Sequence, residues 1–296
     1  MRRFVNPFEL PGRWYKANLH THTTTSDGQF SPADRVVQYR GAGYDVLALT
    51  DHRATNDVRG LSDRKMLVIS GMEYHPPCAT RPGLYHLVGI NVPHGLALRH
   101  PDDANRCIAQ VKRAGGETIL AHPYWTGHML SDYVGLKGLA AMEVYNTTCD
   151  RAGRACSENE WSHGLDRGFV MPAVAVDDAH GGPEADMFEG WTWLKMPSLS
   201  VANVLKALRN GACYGSCGPK IHDFRVVGGK VRLRCSPVKT IHFVSTNGSG
   251  ARRRAKEGKQ ITTFAIDAGQ RAYIRAAVTD AAGRRAWTNP IFLSRM

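Results

Sequence analysis

The sequence predicts an α/β fold followed by a small β-rich unit, from three observations. Seven short apolar runs alternate with helix-like stretches over residues 1–219, and the remainder changes to short alternating runs separated by glycines. The charge divides at the same place. Residues 220–296 hold 16 Lys and Arg against four Asp and Glu, whereas residues 1–219 hold 22 of each, so the whole net charge of +12 lies in the tail. A domain boundary is therefore placed at Lys220, giving units 1–219 and 220–296.

The strand candidates of the first unit are residues 16–19, 46–50, 66–71, 85–90, 118–121, 141–145 and 170–176. Ser31-Pro32 supplies an N-cap and first helical position for a helix over 33–39. A second helical stretch over 101–114 stops at Gly115-Gly116, and a third over 201–209 stops at Gly211. Strands that alternate with helices imply parallel pairing through crossover helices, hence an α/β sheet or barrel. In the tail, residues 221–227, 231–235, 240–245, 261–266, 273–279 and 286–293 read as strands of a β-sandwich-like unit.

With 43% hydrophobic and 22% charged residues, the composition excludes disorder and collagen-like repeats. No apolar run approaches the roughly 18 residues of a membrane span, and MRRFVNPFELPGRW lacks the apolar core of a signal peptide. A cytoplasmic protein without a membrane partner is expected. The seven cysteines are scattered and contain no CxxC pair, so they read as small buried side chains rather than disulfides or a thiolate zinc site. There is no GxSxG and no Walker loop, which disfavours a serine nucleophile and ATP-driven chemistry.

Histidines and carboxylates collect at the trailing ends of the predicted strands. His20 and His22 follow the first, and their spacing of two points both imidazoles to one side of an extended segment. Asp27 lies in the next turn, His52 ends the second strand, Glu73 the third, His122 the fifth, and His86 lies in the fourth. Asp178 and His180 close the seventh, again at spacing two. Side chains arriving from one edge of a parallel sheet converge in a pocket. Buried carboxylates there need a positive counterpart, and mixed His and carboxylate ligands suit zinc, manganese or ferrous iron.

In order, these nine residues resemble the ligand pattern of the PHP (polymerase and histidinol phosphatase) superfamily of metallohydrolases, over residues 14–219. The resemblance implies a distorted seven-stranded (β/α) barrel with two or three divalent metal ions. It implies that His20, His22, Glu73 and Asp178 hold one ion, Glu73, His86 and His122 a second, and Asp27, His52 and His180 a third. MEVYN (142–146), YGSCGP (214–219) and VTDAAGRRAWTNPI (278–291) further resemble metallohydrolases related to carbaryl hydrolases.

Neighbouring cations supply hydroxide at neutral pH and polarise an ester oxygen, so hydrolysis is the expected reaction. The leading expectation is a phosphoesterase acting on small or nucleotide-like phosphate esters. Carboxyl or carbamate ester hydrolysis is the second reading, and a non-catalytic metal-binding module the third. Arg53, His75 and Glu143 are the further catalytic candidates, as an anion-binding group, a pocket-facing imidazole and a carboxylate near the metals. Asp51 and Asp177 could orient imidazoles, and Tyr124 and Trp125 could line a substrate wall. The tail's Arg252-Arg253-Arg254 and Lys256 read as a solvated cationic face, with substrate steering and nucleic-acid binding as alternatives.

Overall fold

The computed structural model describes residues 4–293. Strands β1 (Arg13–Asn18), β2 (Val46–Leu49), β3 (Leu67–Tyr74), β4 (Leu87–Ile90), β5 (Glu117–Leu120), β6 (Leu139–Asn146) and β7 (Ala173–Val176) are hydrogen-bonded in that order. Every residue of β2, β4, β5 and β7 is buried, as expected for strands covered on both faces. The strand ring closes at its carboxyl edge. Thr21 and Ala179 form a parallel bridge, and the Asp178 N–H donates to the His20 carbonyl at 3.0 Å.

Among β1–β7, pairing departs from the all-parallel expectation at one strand. β1–β2, β2–β3, β5–β6 and β6–β7 are parallel, whereas β4 runs antiparallel to both β3 and β5. Only a loop joins β3 to β4, and a chain that returns without a crossover helix must pair antiparallel. Ser31 caps the helix Pro32–Gly41 by accepting from the Asp34 N–H. The second expected helix starts later than Pro101, at Ala104, because Asp103 takes the N-cap and accepts from the Arg106 N–H. The helix Glu158–Asp166 and the strands β8 (Trp191–Met196) and β9 (Cys213–Ser216) have no counterpart in the sequence reading.

The last segment continues the barrel sheet. β10 (Ile221–Val227), β11 (Lys230–Val238) and, further on, β14 (Ile261–Asp267) form a separate three-stranded sheet. β12 (Thr240–Val244), β13 (Gly250–Arg254), β15 (Tyr273–Thr279) and β16 (Arg285–Thr288) instead join the main sheet through pairing of β16 with β9, and β17 (Ile291–Phe292) pairs with β15. The two sheets enclose a sandwich-like core that includes Phe224, Leu233, Ile241, Phe243, Ile274 and Val278. Six of the seven cysteines are buried, and all are free. Among the described residues, no helix is long and apolar enough to cross a membrane.

A buried ion pair fastens the two parts. Arg275 of β15 is 1% exposed; it donates to Glu158 Oε1 at 2.8 Å and Ser162 Oγ at 2.7 Å, over the Trp161 ring. Glu158 also takes the Trp287 Nε1–H at 3.1 Å and pairs with Arg285. Glu158→Ala leaves the Arg275 charge buried without its partner, and is expected to cost about 3–5 kcal/mol in chemical unfolding. Arg285→Ala removes the more exposed arm and is expected to cost about 1 kcal/mol or less.

Candidate metal centre

The backbone beyond β1 stays extended, and His20 and His22 face one another with their Nε2 atoms 3.1 Å apart. Asp178 Oδ1 lies 3.1 Å from His20 Nε2 and 2.9 Å from His22 Nε2. Glu73 Oε2 lies 3.3 and 3.4 Å from the same two nitrogens. Donors of a tetrahedral site with ligand bonds of about 2.1 Å stand about 3.4 Å apart, so these four side chains fit one divalent ion. Glu73 Oε2 is buried and has no hydrogen-bond partner, although His52 Nδ1 also lies 2.8 Å away. The two Nε2 atoms and the Asp178 and Glu73 oxygens converge on a common point.

Two further groups of donors flank this one. On the other side of the Glu73 carboxylate, Oε1 meets His86 Nδ1 at 2.7 Å and His122 Nε2 at 3.6 Å. Around Asp27, Oδ2 lies 3.4 Å from His52 Nε2 and 3.5 Å from His180 Nε2, while His22 Nδ1 is 3.7 Å from Oδ1. All nine residues thus stand in three adjoining groups, the last of which also includes His22. A cleft of about 360 Å³ opens onto Asp27, His52, Glu73, His86, His122, Asp178 and His180.

Buried carboxylates behind the cluster fix its orientation. Glu143 stands behind the cleft rather than in its lining; it lies 2.8 Å from His20 Nδ1 and accepts the His122 backbone N–H and an Asn146 amide N–H. Its hydrogen bond at Nδ1 leaves His20 Nε2 to face the cluster. His180 is set similarly, because its Nδ1 donates to the Asp178 carbonyl at 2.8 Å and Nε2 is turned to Asp27. Asp51 and Asp177 do not orient imidazoles. Asp51 accepts from the Thr23 and Ser26 backbone and hydroxyl groups and from Asn56, bracing the turn that carries Asp27. Asp177 accepts from the backbone of Phe188, Glu189 and Gly190, and Asp186 holds the backbone of His180 and Gly181. Gly28 permits the first turn, since a Cβ there would lie 2.5 Å from the His22 carbonyl carbon.

Backbone strain marks the same strand ends. Arg53, His122 and Asp178 have φ values of 54°, 25° and 58°, a region that disfavours residues with a Cβ. Charge is also concentrated. Burial works against a proton on His20, yet Asp178, Glu143 and Glu73 outweigh it and hold the ring's pKa well above the ordinary imidazole value. Burial would raise the Glu73 carboxyl, but His20, His122 and His52 bring it well below its ordinary value.

The remaining candidates separate. His75 is buried beside Glu73, whereas Arg53 lines a neighbouring small cleft with His75, Met72, Tyr74 and Leu96 and is absent from the ligand cleft. The arginine that lines the ligand cleft is Arg151, which the sequence reading did not single out; it follows β6 in a short turn, with only its basic type as a signal. Trp125 is 42% exposed and stands edge-on to His86 and His122, while Tyr124 lies outside the cleft under Arg154.

No protein-family model matches this chain, and no curated protein matches it. Among solved structures, the chain is similar to a two-domain protein from Bacteroides vulgatus containing a predicted PHP-like metal-dependent phosphoesterase. They share 17% identity over 98% of this chain and 99% of that one, with a TM-score of 0.54. A looser likeness, with a TM-score of 0.46 and 15% identity, is to an amidohydrolase from Chromobacterium violaceum, over 65% of this chain and 96% of that one. Another, to endonuclease Q, has a TM-score of 0.45 and 11% identity over 67% and 57% of the two chains. With the Bacteroides vulgatus protein, the likeness spans both parts of the molecule and establishes a shared fold.

Proposed function

We propose that the chain is a multinuclear metal-dependent hydrolase of the PHP superfamily that cleaves phosphate esters of small or nucleotide-like molecules. The observation that supports this reading most strongly is the near-tetrahedral set His20, His22, Glu73 and Asp178, with five donor separations between 2.9 and 3.4 Å. Those four residues would hold one ion, Glu73, His86 and His122 a second, and Asp27, His52 and His180 a third. Divalent ions so placed acidify bound water toward neutrality and polarise an ester oxygen.

The chain's own groups set the rest of the chemistry. Glu143 and the Asp178 carbonyl keep His20 and His180 in the tautomers that present Nε2. Arg151 at the cleft, paired with Asp186 at 3.3 Å and still 58% exposed, offers guanidinium N–H donors to an oxyanion. This favours phosphate over neutral esters. Trp125 supplies a flat apolar wall for an aryl group, which keeps carbamate or carboxyl ester hydrolysis as the second reading. Against a purely structural metal site stands the exposure of His52, His86 and His180, which reach solvent at the cleft.

Protein purified without chelator or affinity metal is expected to carry two or three equivalents of zinc, manganese or iron by elemental analysis. A chain that binds none, even after reconstitution, sinks the reading. Metal-loaded protein is expected to turn over aryl phosphates in preference to aryl carbamates, and hydrolysis of carbamates alone would transfer the assignment to the second reading. His122→Ala is expected to abolish turnover in either case. Glu143→Gln, which keeps the shape but loses the charge behind His20, is expected to weaken metal binding about 10–100-fold in chelator competition.

A further inference from the structure

His75 is the residue that the nine-ligand scheme leaves unexplained. It follows Glu73 by two positions at the end of β3, and its side chain is 6% exposed. Among the described residues it is the one imidazole with both ring nitrogens buried and without a hydrogen-bond partner. A neutral imidazole has one N–H to donate and one lone pair to fill, so burying both unmet is costly unless something else engages the ring. Its other surroundings are mainly apolar. Met72, Tyr74, Leu96 and Leu98 line the small cleft on its far side, together with Arg53, a cation that cannot accept a proton from it.

On its near side the ring meets the ligand cluster. His75 Nε2 lies 3.5 Å from Glu73 Oε1, the oxygen that His86 Nδ1 approaches at 2.7 Å and His122 Nε2 at 3.6 Å. Its ring centroid is 4.4 Å from that of His86 and 4.9 Å from that of His52. A donor atom of His75 also falls within 4.8 Å of donors from Glu73 and His52. Three imidazoles therefore surround one carboxylate oxygen, and the least solvated carboxylate of the centre has more nitrogen donors than the nine-residue scheme uses.

We infer that His75 is a tenth ligand of the metal centre, donating to an ion held together with Glu73 and His52, the residues whose donor atoms lie within 4.8 Å of its own. The inference rests on the metal-centre reading above. A site with four protein donors is closed, whereas three leave a position for water or substrate. His52, Glu73 and His75 supply three donors, so an ion held by them keeps one position for water or substrate.

The test compares the chain with His75→Ala, His75→Gln and His52→Ala, each loaded with zinc and with cobalt(II). Metal content is read by elemental analysis, affinity by chelator competition and coordination by the cobalt visible spectrum. His75→Ala and His75→Gln are expected to weaken one ion by at least about tenfold and to change the cobalt absorption, as His52→Ala does, while the remaining ions keep their affinity. Unchanged stoichiometry, affinity and spectrum would overturn the role of His75. Should the variants fail to fold by circular dichroism, a crystal structure of the zinc-loaded parent chain decides. A His75 nitrogen about 2.1 Å from an ion supports the inference, and one beyond about 3 Å overturns it. A parent chain that binds no metal overturns the centre itself, a failure seen before any variant is made.

Discussion

Glu73 and Asp178 are 1% and 5% exposed, and keeping two carboxylates there is the constraint on which the arrangement around them depends. Burying an unpaired carboxylate costs several kcal/mol, so positive charge has to lie within reach. Among the described residues, every ion-pair partner of Glu73 and Asp178 is a histidine, and no Lys or Arg side chain approaches either carboxylate. Imidazoles can answer that demand in two ways. They can take up protons, which is the direction in which His20 and His52 are shifted, or they can share divalent cations with the carboxylates. Glu73 Oε2, buried and without a hydrogen-bond partner, fits the second arrangement better than the first.

Holding so many donors at one point strains the strand ends that carry them. The positive φ of His122 and Asp178 costs of order 1–3 kcal/mol each, and it turns their side chains inward from strands that would otherwise run on. Hydrogen bonds to buried acids and to a backbone carbonyl offset this. Glu143 anchors the His122 N–H, the His20 carbonyl anchors the Asp178 N–H, and Asp186 anchors His180 and Gly181. Each brace acts on the backbone and needs no metal contact of its own. The closing bridge, Thr21 to Ala179, sits between His20–His22 and Asp178–His180, so strand pairing and the gathering of these side chains are one event.

The cluster was legible in part because strand alternation is a local rule: HxH beyond β1 turns both imidazoles the same way wherever the strand lies, whereas Asp178 reaches its place through a positive φ that the sequence does not announce. β4 was not legible as antiparallel, because its direction depends on the absence of a helix over residues 75–86, a stretch rich in turn-forming residues. The braces were hidden for a different reason. Asp51 and Asp177 sit beside ligands in sequence, and nothing local says that their oxygens accept from Thr23 and Ser26, or from residues 188–190, brought in by the fold. Arg151 and the Arg275–Glu158 pair were invisible likewise, since each depends on elements distant in sequence that meet only in the folded chain.

The basic tail has a structural reason that its composition does not reveal. β13 lies at the end of the main sheet, paired on one side only with β12, and its Arg252, Arg253 and Arg254 are exposed. A free edge is a template for pairing with another chain, and charged side chains along it oppose that. Arg253 also donates to the Thr263 carbonyl of β14 at 2.8 Å, tying the edge of one sheet to the other. Across β10 and β11, Arg225 faces Arg232 directly, and Arg225 is in turn held by Asp223 at 2.7 Å. Three of the tail's cations thus lie along a free sheet edge, and one of them, Arg253, also joins the two sheets.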